Sequence, residues 1–243
     1  HSLFWQEFIE DIRSCFFTVG LPFFEADILL KLRTLAIPAK SYYKLAHIWY
    51  EPEPGATYVI SVDPGQGKIT KSVALVWRLD LDNFTRIRHE ATLAGLYTSI
   101  AFAPLVIDLA RYYNSAKIIP EANGHGLAFC AEVKSYENLY YRTNIVSGIS
   151  TKEIGWLTTG PSRIGSTGTK IYMLSELQNL LSIIETQDLD LINELSQVRY
   201  AGDSVSYQGS GDYLISAAIM AATRVISMPN PRVGYVGRAG WNW

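Results

Sequence analysis

The chain has 243 residues, 21 Lys and Arg against 23 Asp and Glu, a formal net charge of −2 and 48% apolar side chains. That is enough for a full hydrophobic core in one large domain, or in one domain with an attached segment, and it excludes general disorder. The near-neutral charge gives no sign of a polyanionic partner, and Cys15 and Cys130, far apart and outside any Cys-x-x-Cys pair, argue against a disulfide scaffold or structural zinc and fit a reducing compartment.

No apolar run reaches the roughly 18–20 residues of a membrane span, and no signal peptide opens the chain. His1 and Ser2, in place of an initiator Met, point to an excised fragment. Residues 3–13 place Phe4, Phe8 and Ile12 four apart, a helical spacing, and 27–35 is a second short amphipathic stretch. Glu51-Pro52-Glu53-Pro54-Gly55 then breaks the chain, so residues 1–52 are expected as an attached segment. The main domain, 53–228, opens with strands at 57–63 and 72–79 and a half-exposed strand at 85–93, joined as an antiparallel meander. A helix over 100–113, a short buried strand over 117–120, a helix over 126–136 and a strand over 139–144 follow. Turn residues over 147–161 suggest a hairpin. A long helix over 169–185, a helical turn or two over 190–197, a polar Gly/Ser stretch over 202–211 and an Ala-rich helix over 213–226 complete the domain. A basic tail, 229–243, ends the chain. The predicted class is α/β: a mixed sheet of three antiparallel strands followed by parallel ones, flanked by helices.

Three carboxylates stand where such a sheet gathers chemistry. Asp63 ends the first strand before a Pro-Gly turn, Glu121 ends the fourth before Asn123-Gly124, and Asp212 opens the last helix. A right-handed crossover allows the first and fourth strands to lie side by side, with the last helix packed across their ends. Carboxylates converging there repel one another unless cations intervene, and hard oxygen ligands suit two divalent ions, Mg²⁺ or Mn²⁺. Such a pair activates water and stabilises the leaving oxygen of a phosphodiester. Each acid also has a plainer reading, Asp63 as turn chemistry and Asp212 as a helix cap. Glu121 is harder to explain that way, because it ends a buried apolar strand. Glu176, Glu185, Asp188 and Asp190 are expected as solvated helix-face charges.

Four blocks, in order, resemble the nuclease domain of the large terminase subunit of tailed bacteriophages, a ribonuclease H-like fold. They are TYVISVDPGQG (57–67), IIPEANGHG (118–126), GWLTTGPSRIGSTGTK (155–170) and GDYLISAAIMAA (211–222). The resemblance implies catalytic, metal-binding roles for Asp63, Glu121 and Asp212 in an endonuclease that cuts double-stranded viral DNA concatemers during genome packaging. It also implies a packaging-motor ATPase domain in the same polypeptide, reached through residues 1–52, with the small terminase subunit and the portal protein as further partners, in the cytoplasm of an infected host. Where the family pairs two acids on the last helix, Gly211-Asp212-Tyr213 offers one, and Asp203 is a candidate substitute. Gly65-Gln66-Gly67-Lys68 is no P-loop, since residue 69 is Ile and a strand follows.

Phosphate contacts call for Lys and Arg. The candidates are Lys68 and Lys71 after the first turn, Arg163 and Lys170 around the Gly/Ser loop, and Arg232 and Arg238 in the tail. His125, four residues after Glu121, is a further candidate at the site, whereas His89 has no partner pattern and Cys130 reads as core. Two rival readings stay open. One is an actin-like nucleotide-binding enzyme, suggested by Asp63-Pro-Gly-Gln-Gly; the other is a non-catalytic docking module for portal or capsid protein.

Overall fold

Along Tyr58–Asp63 the side chains of Tyr58, Ile60 and Val62 join one apolar cluster while Val59 joins another. This is the two-residue alternation of a strand covered on both faces. The computed structural model describes residues 21–81, 85–143, 150–160 and 169–227. In chain order the elements are α1 (Ala26–Leu35), β1 (Ser41–Tyr43), β2 (Ala46–Ile48), β3 (Tyr58–Asp63), β4 (Ser72–Leu81), β5 (Arg86–Gly95), α2 (Ser99–Tyr112), β6 (Lys117–Pro120) and α3 (His125–Val133). After them come β7 (Tyr141–Thr143), β8 (Ser150–Ile154), α4 (Thr169–Leu180) with a 3₁₀ turn over Leu181–Ile183, β9 (Ile184–Glu185), α5 (Leu189–Ser196), β10 (Arg199–Ala201), β11 (Ser204–Ser206) and α6 (Asp212–Ser227).

The main sheet runs β1-β2-β5-β4-β3-β6, with β9 also pairing β5. Strands β3, β4 and β5 form the expected antiparallel meander, and β6 joins β3 in parallel through α2. One face packs against α2 and α3 through Phe102, Val106, Leu109, Phe129 and Val133. The other packs against α4, α5 and α6, where Trp77, Leu75 and Ile87 meet Leu174, Leu177, Leu195 and Leu214. The mixed sheet flanked by helices is the fold class the sequence predicts.

Several elements differ from expectation. Strand β5 is not half-exposed: β2 and β4 occupy both its edges and helices cover its faces, so His89 and Glu90 are fully buried. The strand expected over 139–144 is present as β7, but it pairs with β8 in a separate two-stranded antiparallel sheet, and the main sheet receives from this stretch only the parallel bridge of Leu139 to Ile118. The helix expected over 169–185 stops at Leu180, because Ile184 and Glu185 pair with Ile87 and Arg88 of β5. The polar stretch beginning at residue 202 holds β11, which pairs back onto β10.

Residues 21–52, expected as an attached segment, are built into this sheet. β2 pairs with β5, the Trp49 and Tyr50 amides donate to the Glu90 carbonyl at 2.9 and 3.2 Å, and Arg33 of α1 donates to Asn193 of α5 at 2.6 Å. The helix expected over 3–13 and the tail 229–243 lie outside the described residues.

Candidate active site

Backbone register brings two of the three predicted carboxylates together. In the parallel pair, Ser61 faces Ile119 and Val62 faces Pro120, and the Glu121 amide continues the ladder by donating to the Val62 carbonyl at 2.8 Å. The next position on each strand is therefore Asp63 beside Glu121, on neighbouring strands about 4.8 Å apart. The third acid is placed by a buried serine pair. Ser216 of α6 donates to the Ser61 carbonyl at 2.8 Å, and the two hydroxyls lie 3.1 Å apart, with the Trp77 indole N–H donating to Ser61 Oγ at 2.9 Å. Two residues along β3 advance about 6.6 Å, and four residues back along α6 about 6 Å. The match carries Asp212 to the end of β3, where Asp63 shares a strand face with Ser61.

The segments around these acids are tightly fitted. Asp212 Oδ2 accepts the Lys71 amide at 3.0 Å and the Ser210 hydroxyl at 2.7 Å, which ties the Pro64–Lys71 turn to α6. Gly126 has no room for a side chain, since a Cβ there would run into the Glu121 carbonyl oxygen. At Gly155, with φ +86°, a Cβ would lie 2.7 Å from the Pro120 carbonyl oxygen. Trp156 exchanges backbone hydrogen bonds with this same stretch, donating to Pro120 at 2.8 Å and accepting from Ala122 at 2.7 Å. The glycines of the second and third blocks thus let backbone close in on both sides of Glu121.

Electrostatically the site is a crowd of acids. Burial, followed by the charges of Glu121 and Asp212, a hydrogen bond to Glu121 and the charge of Glu194, pushes Asp63 well above the usual carboxylate range. Glu194 of α5 is a fourth member that the sequence reading did not single out. Burial and Asp212 push it up to about 7, against the pull of the Leu214 and Tyr213 amides and Lys71. In chemical character this all-oxygen, charge-crowded donor set fits hard divalent cations. Among the described residues, however, no three His, Cys, Asp or Glu side chains are gathered closely enough to hold a metal ion as they stand.

The basic candidates divide. Lys71 lies at the rim, its Nζ 5.6 Å from the Tyr213 ring centre, and Lys170 opens α4 with Nζ 5.1 Å from the Tyr207 ring centre. Lys68 is exposed on the same turn as Lys71. Arg163, Arg232 and Arg238 lie outside the described residues. His125 is exposed at the start of α3, and Asp203 is exposed in the β10–β11 turn. Cys130 is buried in α3, as expected.

Asp188 is not a solvated helix-face charge. It is buried, caps α5 by accepting the Asp190 amide at 2.9 Å, and accepts the Thr92 hydroxyl of β5 at 2.6 Å. The signals in the sequence for these two acids were an N-cap position before Leu189 and the four-residue spacing of Asp190 and Glu194 on one helix face.

Fold and site together define an α/β domain whose carboxylates collect where β3, β6 and α6 meet. This fold is shared with the large terminase nuclease domains of bacteriophages. It is similar to the large terminase nuclease from thermophilic phage G20c with bound magnesium, at 18% identity and a TM-score of 0.57, covering 80% of this chain and 94% of that one. The same nuclease with bound cobalt gives 17% identity and a TM-score of 0.55, over 80% and 96% of the two chains. The Thermus phage P74-26 large terminase nuclease domain gives 17% and 0.53, over 79% and 92%. No protein-family model and no curated protein matches the sequence.

Proposed function

We propose that this protein is a divalent-metal-dependent endonuclease that cuts double-stranded viral DNA concatemers during genome packaging. The observation that carries the reading is the pairing of Asp63 with Glu121 by parallel register, with Asp212 set across them, in a fold shared with terminase nucleases solved with magnesium and cobalt. Asp63, Glu121 and Asp212 are the residues that would hold the ions. When bound, Mg²⁺ or Mn²⁺ supplies an activated water and neutralises charge on the departing oxygen.

The chain's own residues prepare that chemistry. The raised proton affinity of Asp63 marks a cluster that favours added positive charge. Asp212 is held by Lys71 and Ser210, so its carboxylate has one oxygen committed to the protein. Lys68, Lys71 and Lys170 stand on segments bordering the site and suit contact with DNA phosphates. Such contacts position a duplex without reading its sequence, which matches cleavage of little sequence preference. The motor domain of the same polypeptide, the small terminase subunit and the portal protein are the partners this role calls for, in the cytoplasm of an infected bacterium. No helix among the described residues is long and apolar enough to cross a membrane.

The test is plasmid nicking and linearisation by the full chain with Mn²⁺ or Mg²⁺, with EDTA as control, beside Asp63→Ala and Glu121→Ala. Parent activity that requires the metal and vanishes in both variants is expected. Equal nicking by parent and variants would sink the proposal.

A further inference from the structure

The N-terminus of α6 carries Asp212, yet the residue before it, Gly211, has no side chain with which to cap the helix. The first turn of any helix leaves backbone N–H groups unpaired. Here the missing acceptor comes from another helix. Glu194 Oε2 accepts the Leu214 amide at 2.9 Å, and its carboxylate also meets the Tyr213 amide. One turn earlier on the same face of α5, Asp190 Oδ2 accepts the Tyr213 hydroxyl at 3.2 Å. The two acids grip consecutive residues of α6, immediately after Asp212.

The grip is anchored behind. Leu191, Ile192 and Leu195 bury the opposite side of α5 in the core. Asp188 fixes its start to Thr92 of β5, a central strand of the sheet. A rigid path therefore runs from β5 through α5 to the first turn of α6. Ser216 with Ser61 fixes that helix one turn further on. Between these two anchors Asp212 has little freedom to move relative to Asp63.

Resting on the nuclease reading above, we propose that Glu194 is a positioning residue of the metal site. By reaching across from α5 to cap α6 it fixes the carboxylate of Asp212 against Asp63. Its role is one of reach and hydrogen-bond acceptance rather than of charge. That separates two conservative variants. Glu194→Gln keeps the length and an acceptor oxygen while losing the charge. Glu194→Asp keeps the charge but falls one methylene short of the Leu214 amide.

The experiment titrates Mn²⁺ alone into the full chain by calorimetry for the parent and both variants, with circular dichroism melts in EDTA as the folding control. Plasmid cleavage against Mn²⁺ and DNA concentration is the second readout. Groups that orient metal ligands are worth about 10- to 100-fold in affinity. Glu194→Asp should therefore weaken Mn²⁺ binding by about that factor and need correspondingly more Mn²⁺ to cut, with KM for DNA unchanged. Glu194→Gln should bind Mn²⁺ as the parent does. If Glu194→Asp does not fold, Glu194→Ala, which removes the acceptor of the Leu214 amide, takes its place: weakened Mn²⁺ affinity there beside parent-like affinity in Glu194→Gln supports the proposal, and any other combination overturns it. Weakening by both variants would assign the effect to charge, and weakening by neither would reduce Glu194 to a structural cap; each overturns the proposal. A parent that binds Mn²⁺ but never nicks DNA defeats the nuclease reading alone, whereas a parent that takes up no Mn²⁺ defeats both.

Discussion

His89 gives the fold a built-in sensitivity to acid. It is fully buried on β5, with Trp77 and Trp49 ring centres 4.9 and 5.4 Å from its own. Its Nδ1 lies 3.0 Å from Thr186 Oγ1, and its Nε2 lies 2.9 Å from the Ala91 carbonyl and 3.1 Å from Thr92 Oγ1. Burial lowers its pKa from 6.5 to about 4, although Asp188, reached through Thr92, pulls the other way. Because the folded-state value lies below the unfolded one, the unfolded chain takes up the proton first. The stabilisation is complete above pH 6.5 and is lost as pH falls toward 4. The gap corresponds to roughly 3 kcal/mol, or a fall in melting temperature of roughly 6–12 °C for a domain of this size.

Acidic groups with raised values, Asp63, Glu90 and Glu194, act in the opposite direction, so the assay must isolate the histidine. Urea melts from pH 4 to 8 on the parent and on His89→Gln, which retains a donor and an acceptor but does not titrate, supply the difference. At pH 7.5 the variant is expected to be less stable, by about 1–3 kcal/mol for imperfectly replaced buried hydrogen bonds. As the pH falls to 4 the parent should lose roughly 3 kcal/mol more than the variant, so the gap closes or reverses. Curves that stay parallel from pH 7 to 4 would refute the reasoning.

Two further substitutions test how the site is held. Gly126→Ala forces the start of α3 away from the Glu121 carbonyl, so it should cost about 1–3 kcal/mol by overpacking and abolish metal-dependent nicking; a variant that melts and cuts like the parent would show that the backbone yields at no cost. Ser61→Ala removes the acceptor of the buried Trp77 indole N–H and should cost about 1–3 kcal/mol in urea denaturation, whereas an unchanged midpoint would mean that the serine pair does not set the register of α6 on β3.

Much of the fold was legible because local chemistry punctuates it. The Pro-Gly turn after Asp63, the β-branched runs and the Ala-rich last helix each declare an element within about ten residues. What failed were features decided by neighbours distant in sequence. Residues 41–48 carry no strong strand signal, and they become strands because β5 has a free edge for β2 to complete. The same pairing buries His89 and Glu90, which alternation alone placed on a half-exposed strand. The helix from Thr169 ends early because β5 also accepts Ile184.

The candidate site divides in the same way. Asp63, Glu121 and Asp212 each stand where an element ends or begins, so position in the local pattern marked all three. Glu194 sits inside a short amphipathic helix, where acids usually face water. Its contact with the Leu214 amide spans 20 residues, and Asp188 meets Thr92 across 96. Neither contact follows from propensity or periodicity, because both depend on α5 being pressed between β5 and α6. The acids expected to act lie at the mouths of elements, and the acids that fix them lie on the flank of a helix. A sequence pattern marks the first kind directly. The second appears only once the packing partner is known, which is why one vacant cap at Gly211 points to Glu194 more surely than any motif in α5.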